Sequence, residues 1–255
     1  EIARLNIEFK KPDINFSSAE FSIEEDNGIK SIRFGLAAIK GVGMKSMQFL
    51  VDERIKNGKY EDIIDFMSRL KGEVINKRQL EKLVQAGCFD EIEKNRAKLF
   101  ANVKNFVEIF GGTKEINTNQ SSLFEDSKIS FLDENLFDQN IEPWSTGFLL
   151  KSELEVIGFY FSNHPLSLYP KNYFEYNNIV NYQDIINNTE ISNAKIVGSI
   201  LDIKERSNKE GKKYAFITIS TLDSQVELSI FNDQLSEYRN YIKEGNVLLF
   251  YIDIS

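Results

Sequence analysis

Two glycines separated by a single residue, Gly41 and Gly43, form the clearest chemical pattern in the sequence. They lie within IRFGLAAIKGVGMKSM, residues 32–47, between two short helical patterns. Glycine lets the backbone turn tightly, and the amide hydrogens in the first turn of the second helix then point outward, where they can hold a phosphate. Lys40 and Lys45 flank the turn with the matching charge. This helix-hairpin-helix pattern predicts DNA contacts at Lys40, Gly41, Val42, Gly43, Met44 and Lys45.

The alternative is a plain helix-loop-helix joined by glycines, and a Gly-x-Gly pattern alone favours it. The charge distribution helps to decide between the two. The net charge of −8 argues against a nucleic-acid partner, because phosphate binding depends on Lys and Arg. Residues 30–59, however, carry seven basic and two acidic side chains, whereas residues 111–142 carry two basic and seven acidic ones. The glycine pair lies in the basic segment, so we interpret it as a duplex-binding hairpin. The segregation also predicts that different segments face different partners.

A second group of basic and aromatic residues lies near the C-terminal end of the sequence. Basic side chains that follow a nucleic-acid backbone, together with aromatic rings that stack on bases, are typical of single-strand binding. The alternative is that the lysines solvate a turn and the aromatic rings fill a barrel core. The candidate single-stranded DNA contacts are Lys204, Arg206, Lys209, Lys212, Lys213, Tyr214, Phe216 and Phe231.

A third candidate lies in the polar stretch TNQSSLFEDSK, residues 118–128. Leu123 and Phe124 are adjacent apolar residues that need either this chain's own core or a pocket on another protein. The surrounding acidic sequence has no helical or strand period with which they could pack. We therefore expect them to bind a partner, and we expect the loop that carries them to be mobile.

No residues form a recognisable catalytic centre. No Ser, Cys or acid pair around His164, the single histidine, forms a recognisable catalytic constellation, so we expect a capping or packing role. Cys88, the single cysteine, is expected to be a small core residue, and its lack of a disulfide partner fits a reducing cytoplasm. Glu61, Asp62 and Asp65 are expected to face water, with no pairing into a metal site.

Four helices are predicted after residue 31, where the pattern turns helical. Apolar spacing marks one from Met44 to a stop at Gly58, and a second from Tyr60 to Leu70. Asn76 is a plausible N-cap and Gly87 a plausible terminator of the third, and NRAKLFANVKNFVEIFGG is the fourth. Residues 31–112 are therefore predicted to form a compact helical unit.

The remaining elements predict a different kind of domain. Ser152 and Glu155 have the spacing of a capping box for a helix that Pro165 would end. After Glu190 the period changes to two, with strands in AKIVGSILDIKE, KKYAFITIS and QVELSIF, then a helix of about three turns in NDQLSEYRNYIKEG and a fourth strand in NVLLFYIDIS. This is the order of an OB-fold without its fifth strand. The fold class is thus α+β: a helical helix-hairpin-helix domain followed by a truncated OB-fold β-barrel.

Six segments in this order resemble the alpha subunits of DNA polymerase III, the bacterial replicative DNA polymerases. The resemblance covers the whole chain. The segments are KKPDINFSSAEFSIE, SIRFGLAAIKGVG, GKYEDIIDFMSRL, INKRQLEKLVQAGCFD, WSTGFLLKSELEVIGFYFSNHPL and KIVGSILDIKERSNKEGKKYAFITISTLDSQVELSIF.

The resemblance implies a domain organisation. Residues 1–30 would be the end of the fingers, 31–112 the duplex-binding helix-hairpin-helix domain and 113–142 an acidic loop with a sliding-clamp motif. Residues 143–190 would be a helical connector and 191–255 an incomplete OB-fold. The family's clamp motif, Gln-x-x-Leu/Met-Phe, matches Gln120, Leu123 and Phe124.

The resemblance also implies what this sequence lacks. The family's catalytic aspartates lie in an upstream palm, and no position here matches them, so we expect a piece of a longer polymerase that is inactive alone. It needs no cofactor itself, and Mg²⁺ would belong to the palm. Expected partners are duplex and single-stranded DNA, the sliding clamp and, through other regions, further holoenzyme subunits. The alternative is a stand-alone nucleic-acid-binding adaptor with hairpin and OB modules.

Overall fold

The computed structural model describes residues 7–70, 74–110, 140–188, 190–209, 211–222 and 224–254. These residues form two compact units, which divide between Ile157 and Gly158. The predicted connector, residues 143–190, is therefore shared between the two units. Among the described residues, no helix is both long enough and apolar enough to cross a membrane.

A small mixed sheet precedes the helices of the first unit. Its strands are β1 (Glu8–Lys10), β2 (Ser22–Asp26) and β3 (Ile29–Arg33), and central β3 pairs parallel with β1 and antiparallel with β2. Asn27 and Gly28 make the tight β2–β3 turn, both with positive φ, as a two-residue hairpin loop requires. Strand β3 continues to Arg33, so the prediction that helical structure starts at residue 31 is wrong by a few residues.

The four predicted helices of the first unit are confirmed. They follow a short 3-10 turn at Leu36–Ala38 and comprise α1 (Met44–Asn57), α2 (Ile63–Leu70), α3 (Lys77–Gln85) and α4 (Arg96–Phe110). Gly58 and Gly87 end α1 and α3 with φ values of 91° and 78°, a backbone region that glycine enters without steric cost. Asn76 caps α3 through a complete capping box with Gln79.

Helix α5 (Thr146–Ile157) differs from its prediction at both ends. Ser152 lies in its interior at 3% exposure and caps nothing. The Ser145 hydroxyl instead accepts a hydrogen bond from the Phe148 amide at 3.4 Å, which places the N-cap at Ser145. Gly158, with φ 94°, follows the last helical residue, so the helix stops well before Pro165.

Aromatic side chains fill the centre of the first unit. The Phe66 ring packs edge-on between Tyr60 and Phe89, with centroids 4.9 and 5.1 Å away, and all three are buried. Burying one such side chain contributes about 2 kcal/mol to folding. Cys88 is fully buried beside them, and this confirms the expectation that it is a core residue.

The second unit is an antiparallel four-stranded sheet with short helices. In chain order, its elements are a 3-10 turn at Pro165–Leu168, α6 (Lys171–Tyr176), α7 (Tyr182–Asn187), β4 (Asn193–Ser207), β5 (Lys213–Ser220), β6 (Gln225–Ile230), α8 (Asn232–Tyr238) and β7 (Val247–Asp253). The strand order is β6-β5-β4-β7. Helix α8 has 7 residues, fewer than the three turns predicted.

The sheet of the second unit curls into a half-barrel. A register shift in β4 between Ile200 and Asp202 bends the strand, as a bulge does. The concave side is lined by fully buried isoleucines, including Ile196, Ile217 and Ile219, and Leu235 of α8 covers them. This curled sheet after a helical domain confirms the predicted α+β class with an OB-like partial barrel.

Candidate nucleic-acid interface

The predicted hairpin turn has the backbone that its glycines were expected to allow. Gly41 has φ 88°, in the left-handed region. The Lys40 amide donates to the Val156 carbonyl of α5 at 2.8 Å, and the Val42 amide donates to Ile39 at 3.4 Å. The turn is therefore held by main-chain contacts, and its Lys40 and Gly41 side is exposed.

The N-terminus of α1 is open to solvent. Its N-cap is Gly43, in an extended conformation, and no side chain caps the helix. Met47 makes the first intrahelical bond, to the Gly43 carbonyl at 3.1 Å. The amides of Met44, Lys45 and Ser46 precede it and have no acceptor within the helix. The first turn contains no acidic residue, so these amides present positive partial charge to an arriving anion.

Helix α3 provides a direct contrast within the same unit. The Asn76 side chain accepts from the Gln79 amide at 3.0 Å, and the Gln79 side chain accepts from the Asn76 amide at 3.1 Å. These two bonds satisfy amides that α1 leaves open. The two helix starts therefore differ. The third amide of α3 carries a side-chain cap, whereas the corresponding amide of α1, that of Ser46, has no side-chain cap.

Side chains of α3 lie beside the hairpin turn, and one of them is paired with α5. Lys82 of α3 passes beside Gly41, because a Cβ at Gly41 would lie 3.6 Å from the Lys82 Cγ. Gln79 Nε2 donates to Ser46 Oγ at 3.3 Å. Lys82 Nζ also lies 2.6 Å from a carboxylate oxygen of Glu155 in α5. Sequence reasoning missed Lys82 and Glu155, because no local pattern connects either residue to the glycine pair.

The predicted single-strand site lies mainly on the convex face of the half-barrel. Along β5, Ala215, Ile217 and Ile219 are buried, whereas the alternating residues from Tyr214 onward are half-exposed. Tyr214 and Phe216 therefore lie on the opposite face from the core. The alternative that these aromatic rings fill the barrel is wrong for both residues.

Cross-strand pairing brings two basic residues to the same face. Lys204 pairs with Phe216 and Arg206 with Tyr214, and directly opposed residues share a face. The Tyr214 and Phe216 rings are 5.6 Å apart, and the Arg206 guanidinium lies 5.5 Å from the Phe216 centroid. These four residues form a continuous basic and aromatic strip, which we call the convex strip.

The other predicted single-strand residues lie near the convex strip in the chain but are not part of it. Lys209, Lys212 and Lys213 are exposed in and beside the β4–β5 turn, and Phe231 is 64% exposed at the start of α8. Acidic residues are also present, since Asp202 lies 3.3 Å from Lys204. The surface around the convex strip is thus of mixed charge.

His164 has the capping role that its sequence context predicted. Its Nδ1 accepts from the Leu166 amide at 3.1 Å, so the neutral ring carries its proton on Nε2, which lies 3.0 Å from the Ser220 hydroxyl. Burial lowers the pKa of His164. Both ring nitrogens have hydrogen-bond partners, which fits a structural role for the side chain.

The remaining candidate reactive groups are structural. Burial raises the pKa of the Cys88 thiol, which makes it a poor nucleophile. Asp62 accepts from the Asp65 amide at 2.8 Å, and Asp65 accepts from the Glu61 amide at 3.1 Å, so this acidic cluster organises the start of α2. Within the described ranges, no group of His, Cys, Asp or Glu side chains could hold a metal ion.

Comparison with known proteins finds relatives that match nearly the whole chain. A model of the helix-hairpin-helix motif matches residues 6–99. DNA polymerase III subunit alpha of Campylobacter jejuni is 33% identical over 250 residues, which cover 97% of this chain and 20% of that protein. The chain is homologous to one region of DNA polymerase III subunit alpha.

Two further relatives with the same name match the chain over a similar length. The subunit alpha of Borreliella burgdorferi is 32% identical over 97% of this chain and 21% of its own length, and that of Aquifex aeolicus is 33% identical over 95% and 19%. The chain thus spans about a fifth of the length of the curated relatives that it matches. The predicted clamp residues Gln120, Leu123 and Phe124 lie outside the described residues.

Proposed function

We propose that this chain is a DNA-handling segment of a DNA polymerase III alpha subunit and acts in DNA replication. The homology covers nearly all of the chain, and the helix-hairpin-helix match includes the glycine turn. The observation that carries the proposal is the open start of α1, where the amides of Met44, Lys45 and Ser46 have no intrahelical acceptor and the side chains of Lys40 and Lys45 are exposed beside them.

The hairpin would hold the duplex through its phosphates. The amides of Met44 and Lys45 donate to one phosphate oxygen each, and the helix dipole favours the negative charge. Lys40 and Lys45 neutralise neighbouring phosphates and release counterions. Such contacts carry no sequence information, as a polymerase that must hold any duplex requires.

Charge reversal at the hairpin tests this role. Lys40→Glu and Lys45→Glu should each weaken binding of the full chain to a labelled blunt duplex. Each should also reduce the magnitude of the slope of log affinity against log salt concentration by about 1, the change expected for one lost phosphate contact. Lys104→Glu, on the exposed face of α4, is a matched control for net charge and should change neither value. An unchanged slope in both hairpin variants would remove the hairpin from the phosphate contacts.

The convex strip is the surface that we propose for single-stranded template. Tyr214 and Phe216 offer ring faces on which bases can stack, and Lys204 and Arg206 offer charge for the backbone. Lys209, Lys212 and Lys213 would extend the contact along the β4–β5 turn, with Phe231 as a further stacking candidate. Stacking tolerates any base, so this surface would also be sequence-blind.

Gln120, Leu123 and Phe124 are the segment that we propose for the sliding clamp. Two apolar side chains would enter a preformed pocket of the ring, and Gln120 would hydrogen-bond its rim. The tether raises the effective concentration of polymerase at the primer end. In a pull-down with the cognate clamp, Leu123→Ala with Phe124→Ala should abolish capture while duplex binding persists. Equal loss of both activities would contradict the assignment.

The parent protein would be a DNA-directed DNA polymerase of the bacterial cytoplasm. The described acidic residues do not fit a metal site, so no step of nucleotide addition is assigned to them. We expect this chain alone to show no primer extension with Mg²⁺, and measurable extension would overturn that expectation. A parent reading frame without an upstream acidic palm would instead favour the stand-alone adaptor.

A further inference from the structure

The ion pair between Lys82 and Glu155 lies beside the proposed phosphate site. The Lys82 side chain is 18% exposed and that of Glu155 is 60% exposed, with 2.6 Å between Nζ and the carboxylate oxygen. The aliphatic part of the Lys82 side chain lies beside Gly41, since a Cβ placed on Gly41 would be 3.6 Å from the Lys82 Cγ. The ammonium is therefore anchored close to the turn, while its carboxylate partner lies largely in water.

The three lysines near the hairpin differ in their pairing. Lys40 and Lys45 have no ion-pair partner among the residues that the structure describes, whereas Lys82 is paired. A carboxylate and a phosphodiester oxygen are alternative acceptors for the same ammonium. Exchange of one for the other is inexpensive here, because an exposed carboxylate regains its hydration when it is released.

The end of α5 makes two separate contacts with the hairpin region from consecutive residues. Glu155 reaches Lys82 through its side chain, and Val156 accepts the Lys40 amide through its main chain. The main-chain bond fixes the turn, and the side-chain contact alters only its charge. A substitution that neutralises Glu155 therefore leaves the bond that shapes the hairpin in place.

We propose that Lys82 is a third phosphate-binding lysine of the hairpin and that Glu155 competes with DNA for it, which limits how tightly the hairpin holds a duplex. This inference rests on the proposed function of the hairpin. On binding, the Lys82 ammonium exchanges Glu155 for a phosphate oxygen. A restrained hold suits a protein that has to move along the duplex.

Neutralising each partner in turn tests the competition. Binding of the full chain to a labelled blunt duplex is measured by fluorescence anisotropy across a potassium chloride series. Glu155→Gln should tighten binding about threefold at low salt, since it removes an exposed competing charge. Lys82→Gln should weaken binding and reduce the magnitude of the salt slope by about 1, as the loss of one phosphate contact does. If the pair is only structural, both variants lose the same contact. The affinity for the duplex would then change in the same direction in both variants, or in neither, and either result would overturn the inference.

Matched variants separate the possible failures. Glu108→Gln removes one exposed carboxylate on α4 and should leave affinity unchanged, so tightening by Glu155→Gln would not be a net-charge effect. Trp144 fluorescence on thermal unfolding checks that each variant is folded. If Lys82→Gln does not fold, tightening by Glu155→Gln must still be seen. If Lys45→Glu weakens binding but the Lys82 and Glu155 variants shift together, the hairpin function stands and this inference fails. If the wild-type chain binds no duplex, both fail.

Discussion

Arg96 Nη1 donates to a Glu153 carboxylate oxygen at 2.9 Å inside the first unit, where the two side chains are 5% and 1% exposed. The same guanidinium makes two bonds of 2.7 Å to Asp90 and a third contact, at 3.2 Å, with the Gln85 carbonyl. Burial lowers the pKa of Arg96, but Asp90 and Glu153 outweigh it and raise the pKa overall, so the side chain stays charged. This network ties α5 to the α3–α4 turn.

Removing Arg96 should destabilise the first unit more than removing Glu153. Arg96→Met leaves the buried Glu153 carboxylate without its cation and leaves Asp90, which is 18% exposed, with Lys11 at 3.3 Å as its ion-pair partner. We expect a loss of about 3–5 kcal/mol in the free energy of unfolding. Glu153→Gln leaves Arg96 paired with Asp90 and should cost less. Urea unfolding followed by Trp144 fluorescence measures both, since Trp144 packs on Phe100 and Phe148 of this unit.

The exposed pair Lys104–Glu108 on α4 is the control for these two variants. Its atoms are 3.6 Å apart, with both side chains more than 60% exposed. Lys104→Met should change stability by less than about 0.5 kcal/mol. Equal effects of Arg96→Met and Lys104→Met would show that the buried network contributes nothing particular.

Gly87→Ala and Gly28→Ala should separate backbone strain from crowding. The two glycines have φ values of 78° and 79°. A Cβ at Gly28 would meet nothing within 4 Å, whereas one at Gly87 would overlap the Arg96 guanidinium. We expect Gly28→Ala to cost about 1 kcal/mol and Gly87→Ala about 3 kcal/mol or more, because Arg96 is held on all sides and cannot move aside. The same urea experiment measures both, and equal losses would refute the crowding.

Local patterns predicted the elements whose ends are set by local chemistry. Helix α3 begins at its predicted cap Asn76, and α1 and α3 end at Gly58 and Gly87 as predicted. Capping bonds and positive φ depend on neighbours in the chain, so local sequence can indicate them. The Ser152 cap was wrong for a related reason. Ser145 is also a serine, and the folded helix begins directly after it, so Ser152 is a buried interior position.

Contacts between distant segments could not be predicted from the sequence. Lys82 and Glu155 meet because α3 and α5 pack together, and nothing in either segment indicates the other. The sequence also left undecided which side of the sheet Tyr214 and Phe216 occupy. Alternation along β5 indicates two faces but does not say which one is buried. The isoleucines of the neighbouring strands decide that in the folded sheet.

His164 should make the second unit less stable as the pH falls. Burial lowers its pKa below the ordinary value of 6.5, so the unfolded chain binds the proton more readily than the folded one. Its contribution to stability is therefore complete above about pH 6.5 and is lost as the pH falls towards the folded pKa. Protonation of Nδ1 would also break the bond from the Leu166 amide.

Amide hydrogen exchange in β4 and β5 measures this effect, because His164 contacts Ser220 at the end of β5. Protection should decrease between about pH 7 and about pH 5 after correction for the intrinsic exchange rate. His164→Asn retains a cap acceptor but does not titrate, so its protection should change less over the same range. Identical pH profiles for the two proteins would exclude His164 as the titrating group.

Alanine substitutions in the convex strip should reduce single-strand binding with little loss of stability. Tyr214 and Phe216 lie outside the barrel core, and each base that loses a stacking partner should cost about 1–3 kcal/mol of binding. Ile217→Ala, at the intervening core position, should instead lower stability by about 2–5 kcal/mol. Anisotropy with a labelled oligothymidine and thermal unfolding by circular dichroism measure the two effects. If Tyr214→Ala and Phe216→Ala unfold the second unit as readily as Ile217→Ala, or leave oligothymidine binding unchanged, the strip is not the single-strand surface.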